Sequence, residues 1–381
     1  MDAIIHFTEF LYSALNNKKT CLNILIDYSK AFDNVNHSIL LKKLEKYGVR
    51  DTPLRFFANY LQNRIQTVNI SNASSGPLIT NISVPQGSIL GPCLFLAYIN
   101  EIPSISSKFY ATMFADDCTL SFAGTDIVNM VSECNRELKL FKQWSDANRL
   151  TINVSKTNCL MVSNIFGQLS PGNLFIEDQE IDIVRCVKFL GVFIDNNLKY
   201  DEHIKFICDK MSKSIGVIFR IRRLVPKTLL RNIYFSIVQP YIIYCLPIFA
   251  ATYHVHLEPL ILLQKRAIRA INNAAFRAHT DPLFFNNKIL KVPDLYKHSL
   301  GCYIFKNQHL IDLNSRSHDH FTRNRVSTLI PVARLRATEQ SVIRNALLIW
   351  NEIPPDIRNC LTFSNFKFEF RKHLLDQYNV R

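Results

Sequence analysis

The stretch KFYATMFADDCTLSF, Lys108–Phe122, decides how this chain is read. Lys108–Phe114 and Cys118–Phe122 are short runs of aromatic, β-branched and small residues, and Ala115-Asp116-Asp117 separates them. That pattern predicts two short strands joined by a tight turn. Acids between two apolar strands sit where acids are least expected, because a buried carboxylate is costly unless paired or bound to a cation. Taken alone, the dipeptide also reads as an ordinary acidic turn, since Asp bonds readily to its own turn backbone.

A second acid of this kind lies upstream. Leu22–Ile26 is apolar and β-compatible, and it ends at Asp27. Successive side chains on a straight strand alternate faces, but at a tight hairpin Asp116 and Asp117 can converge. With Asp27 alongside, three carboxylates would surround one small volume. Hard oxygen donors of that kind suit Mg²⁺, which leaves room for phosphate oxygens. Two such ions about 3.5–4 Å apart can activate a hydroxyl and stabilise a leaving oxygen in phosphoryl transfer.

Outward from these acids the first half mixes strands and helices. Residues 4–17, Ser38–Tyr47, Pro53–Gln62 and Ser88–Asn100 read as helices, and Ile127–Phe141 carries a helical apolar stripe. Ile65–Ile70 and Leu78–Val84 read as paired strands around NASSGP. A strand near Thr157–Ser163, a hairpin near Leu174–Ile183 and a strand near Val187–Ile194 follow. After about residue 196 strand signals fade. Helices are expected near 204–218, Leu257–Ile271, Tyr296–Leu310, Ser341–Trp350 and Ser364–Leu375. The class is α+β, followed by a mainly helical half.

Composition bounds the partners. The 381 residues carry 45 Lys+Arg against 31 Asp+Glu, a net charge of +14, and are 48% hydrophobic. That excludes wholesale disorder and collagen-like material and points to a polyanionic partner. The excess is uneven: residues 1–160 hold 15 basic and 13 acidic side chains, net +2, and residues 161–381 hold 30 and 18, net +12. The 10 Cys form no C-x-x-C pair and no zinc spacing with His, and no signal peptide opens the chain, so reduced intracellular thiols are expected. Asn232–Tyr253 is uncharged and long enough to span a bilayer, but Pro240 and Pro247 favour a broken buried helix and no membrane.

The acids also stand in a wider pattern. Leu25-Ile26-Asp27-Tyr28-Ser29-Lys30-Ala31-Phe32-Asp33, followed by Val35-Asn36-His37, resembles the first catalytic motif of reverse transcriptases of non-LTR (LINE-like) retrotransposons. Val84-Pro85-Gln86-Gly87-Ser88-Ile89-Leu90-Gly91-Pro92 resembles their second motif and Phe114-Ala115-Asp116-Asp117 their third. Leu150–Thr157 resembles the fourth, and Lys188-Phe189-Leu190-Gly191-Val192 the fifth, the primer grip. The five stand in family order over about 170 residues.

The resemblance implies a fold: a right-hand polymerase palm of antiparallel sheet and helices over 1–195 with the fingers truncated, a helical thumb over 196–275, and a helical C-terminal region over 276–381. It implies nucleotidyl transfer to a primer 3′-OH on an RNA template, from deoxynucleoside triphosphates, with two Mg²⁺ ions or Mn²⁺ in their place. Asp27 and Asp116 would be the principal metal ligands and Asp117 a supporting one. Phe32 would meet the sugar C2′ and disfavour ribonucleotides, with a plain core Phe as the other reading. Gln86 and Gly87 would line the nascent base pair. Lys156 would protonate or stabilise the leaving pyrophosphate, with a surface lysine as the other reading. Phe189, Leu190 and Gly191 would seat the primer end, and the basic helices of 200–271 would track duplex phosphates.

The chain departs from the family at its front. Only 26 residues precede Asp27, and they resemble just the last helix before that motif. Within these 381 residues the basic residues that clamp a triphosphate have no counterpart, and neither an endonuclease region nor a Cys/His knuckle is read. A piece of a larger polymerase is expected, acting in the nucleus by family analogy. The alternative is an inactive remnant that only binds nucleic acid. A palm-type nucleotide cyclase also uses paired carboxylates, but its Gly-Gly-acid-acid-Phe string is missing.

Overall fold

A computed structural model describes residues 1–164, 172–313, 315–317 and 326–378. By its internal contacts the chain divides into two compact units: Lys18–Val187, and Met1–Asn17 together with Lys188–Arg381.

The unit Lys18–Val187 is built on a six-stranded sheet in the order Tyr110–Phe114, Asp117–Gly124, Thr20–Ile26, Asn158–Val162, Gln179–Val184, Leu174–Ile176. Thr20–Ile26 is interior, and six of its seven residues are buried, which is why this strand reads as a continuous apolar run rather than an alternating one. The expected antiparallel sheet holds for four of its five pairings. Asn158–Val162 and Gln179–Val184 instead run parallel. Parallel neighbours need a long return connection.

The helix Ile127–Ala147 presents Ile127, Met130, Val131, Cys134, Leu138 and Phe141 to the core. It starts where Asp126 accepts hydrogen bonds from the backbone N–H of Val128 (3.0 Å) and Asn129 (3.2 Å), an N-cap worth about 1 kcal/mol. Its far end is tied down by Tyr98, whose hydroxyl donates to the Asn148 carbonyl at 2.6 Å. Buried Lys43 donates to the Tyr98 carbonyl at 2.6 Å and meets Glu101 at 3.0 Å. Arg64–Gln66 pairs with Leu78–Thr80, and Asn69–Ile70 with Ala73–Ser74, as short hairpins.

In the other unit, helix Asp2–Asn16 buries Ile4, Ile5, Phe7 and Leu11. Its Glu9 carboxylate accepts from the N–H of Val342 (2.6 Å) and Ile343 (3.3 Å) and from the Ser341 hydroxyl (2.8 Å). A carboxylate suits that helix start, where N–H groups lack partners. Burial still raises the Glu9 carboxyl above its ordinary value. Asp201–Ile221 packs on His254–Ile271, with Ile204, Ile207, Met211, Ile215 and Ile218 buried and Lys205, Lys210, Lys213, Arg220 and Arg223 exposed. The uncharged stretch is not one helix: after the end of Lys227–Ile237 it continues as Gln239–Ile243 and Leu246–Phe249, with Pro240 and Pro247 in the first turns of these two. Among the described residues no helix is long and apolar enough to cross a membrane. Val292–Lys306, Val342–Glu352 and Phe363–Asp376 close around Phe305, Trp350, Phe366 and Phe370.

Candidate active site

The three acids share one end of the sheet. Ile26 pairs with Cys118 and Phe114 with Asp117, so continuing that register by one residue sets Asp27 opposite Asp117. Ala115 and Asp116 make the turn between the two strands, with Ala115 at φ 51°, an uncommon conformation for a residue with a Cβ. Asp27 is half-buried, and Asp116 and Asp117 are exposed. Partial withdrawal from water raises the Asp117 carboxyl above its ordinary value, and the charges of Asp116 and then Asp27 raise it further.

The three do not close into a ready cluster. Among the described residues no group of three or more His, Cys, Asp or Glu side chains is arranged to hold a metal ion. Asp116 lies in the turn and Asp117 opens the strand that follows it. The donor set is all carboxylate oxygen, and its mutual repulsion calls for positive charge, so its chemistry fits hard divalent cations such as Mg²⁺ or Mn²⁺.

What holds Asp27 is the fourth motif. The Asp27 N–H donates to the Thr157 hydroxyl at 3.2 Å, and its carbonyl accepts from the Asn153 N–H at 2.8 Å. The Thr157 hydroxyl in turn donates to the Asn153 carbonyl at 2.9 Å. Ser29 N–H donates to the Thr151 carbonyl at 2.9 Å, and Tyr28 pairs with Ile152. Lys156 is exposed at the end of the short 3₁₀ turn Val154–Lys156.

The first and second motifs are also laced together. Ser83 N–H donates to the Val35 carbonyl (2.8 Å), and Val84 N–H to the Phe32 carbonyl (3.1 Å). Phe32 is half-buried and stacks on buried Phe95 with centroids 4.4 Å apart. Gln86 is exposed and donates to Asp33 Oδ1 at 2.9 Å. Gly87 has φ 78° and open space where a Cβ would stand, so its backbone, not crowding, asks for glycine. Crowding applies at Gly91, where a Cβ would meet the Pro85 carbonyl oxygen at 2.6 Å. Phe189, Leu190 and Gly191 belong to the other unit. Val187–Ile194 is not one strand but falls in a hairpin of Cys186–Phe189 and Val192–Asp195, turning through Leu190 (φ 46°) and Gly191 (φ 82°). The Phe189 ring is buried against Phe7 at 5.4 Å, and Tyr244 donates to the Leu190 carbonyl at 2.5 Å.

Thr157, Asn153 and Gly91 are functional candidates to which sequence reasoning gave no role. All three stand inside the quoted motifs, but their signal is a partner: for Thr157 it lies 130 positions away in sequence.

The sequence family described as reverse transcriptase (RNA-dependent DNA polymerase) matches residues 3–194, about half of the chain. The probable RNA-directed DNA polymerase from transposon BS of Drosophila melanogaster is 24% identical over 294 residues, 72% of this chain and 32% of its own length. The RNA-directed DNA polymerase from mobile element jockey, also of Drosophila melanogaster, is 26% identical over 300 residues, 75% of this chain and 32% of its own. The chain thus spans about a third of the length of these relatives. A solved telomerase from Candida albicans, in complex with a fragment of telomeric RNA, covers 77% of this chain and 50% of its own at TM-score 0.37 and 11% identity. The five motifs, the acid-bearing sheet end and the family match lead to one conclusion: the chain belongs to the reverse transcriptase (RNA-dependent DNA polymerase) family, in its non-LTR retrotransposon branch.

Proposed function

We propose that this chain carries the catalytic palm of an RNA-directed DNA polymerase, adding deoxynucleotides to a DNA primer 3′-OH on an RNA template in the nucleus. The observation that carries the reading is the sheet end where Asp27, Asp116 and Asp117 repel one another while Thr157 and Asn153 hold the Asp27 backbone. Asp27 and Asp116 would hold two divalent ions, with Asp117 in support. When bound, such ions lower the pKa of an attacking hydroxyl and neutralise a leaving pyrophosphate.

The protein's own part is positioning. Phe32 stands half-exposed on a rigid stack, where its ring can limit the sugar C2′ substituent. Gln86, anchored on Asp33, and the Gly87 backbone border the same loop and would face the nascent pair. Lys156 is exposed and free to approach phosphate. At the primer grip the buried Phe189 ring supports the turn, so Leu190 and Gly191 would meet the primer. In this reading residues 1–195 supply palm chemistry, the exposed cations of 196–275 grip duplex phosphates as a thumb does, and 276–381 is a helical packing region.

Primer extension by the purified chain on an RNA template, with Mg²⁺ or Mn²⁺, tests the reading. Incorporation that disappears in Asp116→Asn supports it. Incorporation undiminished by that change overturns it. Salt-sensitive duplex binding without incorporation replaces it with a chain that only binds nucleic acid.

A further inference from the structure

The helix Phe363–Asp376 has two faces that differ in what explains them. Phe366, Phe370 and Leu374 are buried. Phe366 stacks on Phe305 at 4.4 Å, and Phe370 on His298 at 5.8 Å. Packing accounts for that face. It does not account for Phe368, Arg371, Lys372 and Leu375, which recur at i, i+3, i+4 and i+7 and so lie along a second face. Phe368 is 65% exposed, a large ring kept in water beside two cations.

This second face lines a cavity of about 980 Å³, together with Arg231 and Phe235 of the helix Lys227–Ile237 and with Lys288. The volume is at the upper end of the roughly 300–1,000 Å³ usual for ligand clefts. Four cations line it, Arg231, Lys288, Arg371 and Lys372, against one carboxylate, Asp376. None of the four is ion-paired with a carboxylate among the described residues.

The guanidinium groups are held in place without being neutralised. Arg231 Nε donates to the Asn287 carbonyl at 2.8 Å, and its guanidinium lies 4.8 Å over the Phe235 ring. Arg371 Nη2 donates to the Lys288 carbonyl at 2.8 Å. Burial, and then the Arg231 charge, push the Arg371 guanidinium below its usual range. Each fork keeps further N–H donors for an anion, and the fork geometry suits phosphate.

We propose that this cavity binds a single-stranded segment of nucleic acid, with Arg231, Arg371 and Lys372 on its phosphates and an unpaired base stacked on Phe368. Cations interleaved with aromatic rings match a strand whose backbone is anionic and whose bases have flat faces. An acidic peptide would satisfy the cations but offer no flat face for the exposed ring. A duplex keeps its bases stacked on one another, which leaves Phe368 without a partner. The inference does not depend on catalysis at the sheet end.

The test is fluorescence anisotropy of the full chain with labelled 12-nucleotide oligo-U RNA and oligo-dT DNA. EDTA and a saturating unlabelled RNA–DNA primer–template duplex are present, so that polymerisation plays no part and duplex sites are filled. The expected result is salt-sensitive single-strand binding that Phe368→Ala weakens about tenfold or more. Lys372→Gln and Arg371→Gln should weaken it too and reduce the salt slope by about one each. Phe368 and Lys372 are exposed, so those two variants keep the test readable if Arg371→Gln fails to fold. Preference for RNA would support the site with sugar recognition added, and equal affinity would support it with backbone and stacking alone. Single-strand binding abolished by the duplex, unchanged in Phe368→Ala and Lys372→Gln, or competed equally by inorganic phosphate would overturn it.

Discussion

The acid-bearing end of the sheet and the aromatic core of the last helices solve opposite problems. Both contain a phenylalanine stack at 4.4 Å, Phe32 on Phe95 and Phe305 on Phe366. In the tail, Phe366 is fully buried and Phe305 nearly so, so the rings serve packing. At the sheet end Phe32 stays half in water beside Asp33 and Gln86, and the neighbouring acids repel one another. A group kept exposed or strained by like charge is expensive to hold, and it is retained where it acts on something else. The comparison therefore predicts that substitutions at the first place change activity with little effect on stability, and at the second the reverse.

The strongest way to break it is Asp116→Asn. Primer extension should fall about a thousandfold or more, about 4 kcal/mol in the barrier, while thermal unfolding moves little. A large loss of melting temperature would make Asp116 a structural residue instead. Phe366→Ala should do the opposite and cost about 3–4 kcal/mol of stability in the Met1–Asn17/Lys188–Arg381 unit, read by denaturant unfolding.

Buried His203 sharpens the same contrast through pH. Burial lowers its pKa to about 4 from the ordinary 6.5, and its ring sits edge-on to Phe249 at 5.0 Å. The folded state holds it neutral, whereas the unfolded chain protonates it below about 6.5. Its contribution is thus complete above that pH and is lost as pH falls toward 4, by about 3 kcal/mol in all. Melting temperatures between pH 7.5 and 4 check this, and His203→Phe should flatten that part of the profile.

The smallest expected effect is at Thr157. Thr157→Val removes the acceptor of the Asp27 N–H and should lower kcat about tenfold with KM nearly unchanged, and Thr157→Ser should restore it. A Thr157→Val enzyme with wild-type kcat, or a serine variant as slow as valine, would remove the positioning role.

Much of this was legible before any coordinates. The strands flanking Asp116-Asp117, the strand ending at Asp27 and the helix Ile127–Ala147 announce themselves through local pattern: apolar runs cut by acids, and an apolar stripe at helical spacing. The hairpin within Val187–Ile194 was missed because the apolar pattern runs straight through Leu190-Gly191. The left-handed conformation at Leu190 shows only in the backbone. The parallel pairing of Asn158–Val162 with Gln179–Val184 was missed because pairing direction depends on the path of the connection, not on composition.

For this protein the sequence by itself determined the α+β class, the motif order, the family and which acids are candidates, because those are properties of residue type and spacing. Only the tertiary structure decided that Thr157 and Asn153 hold the Asp27 backbone, that Glu9 caps a helix beginning 333 positions later, and that Phe368 joins four cations around one cavity. Each of these is a meeting of residues far apart in the chain. A hydrogen bond or a shared cavity depends on distances of a few ångströms, which sequence separation does not encode.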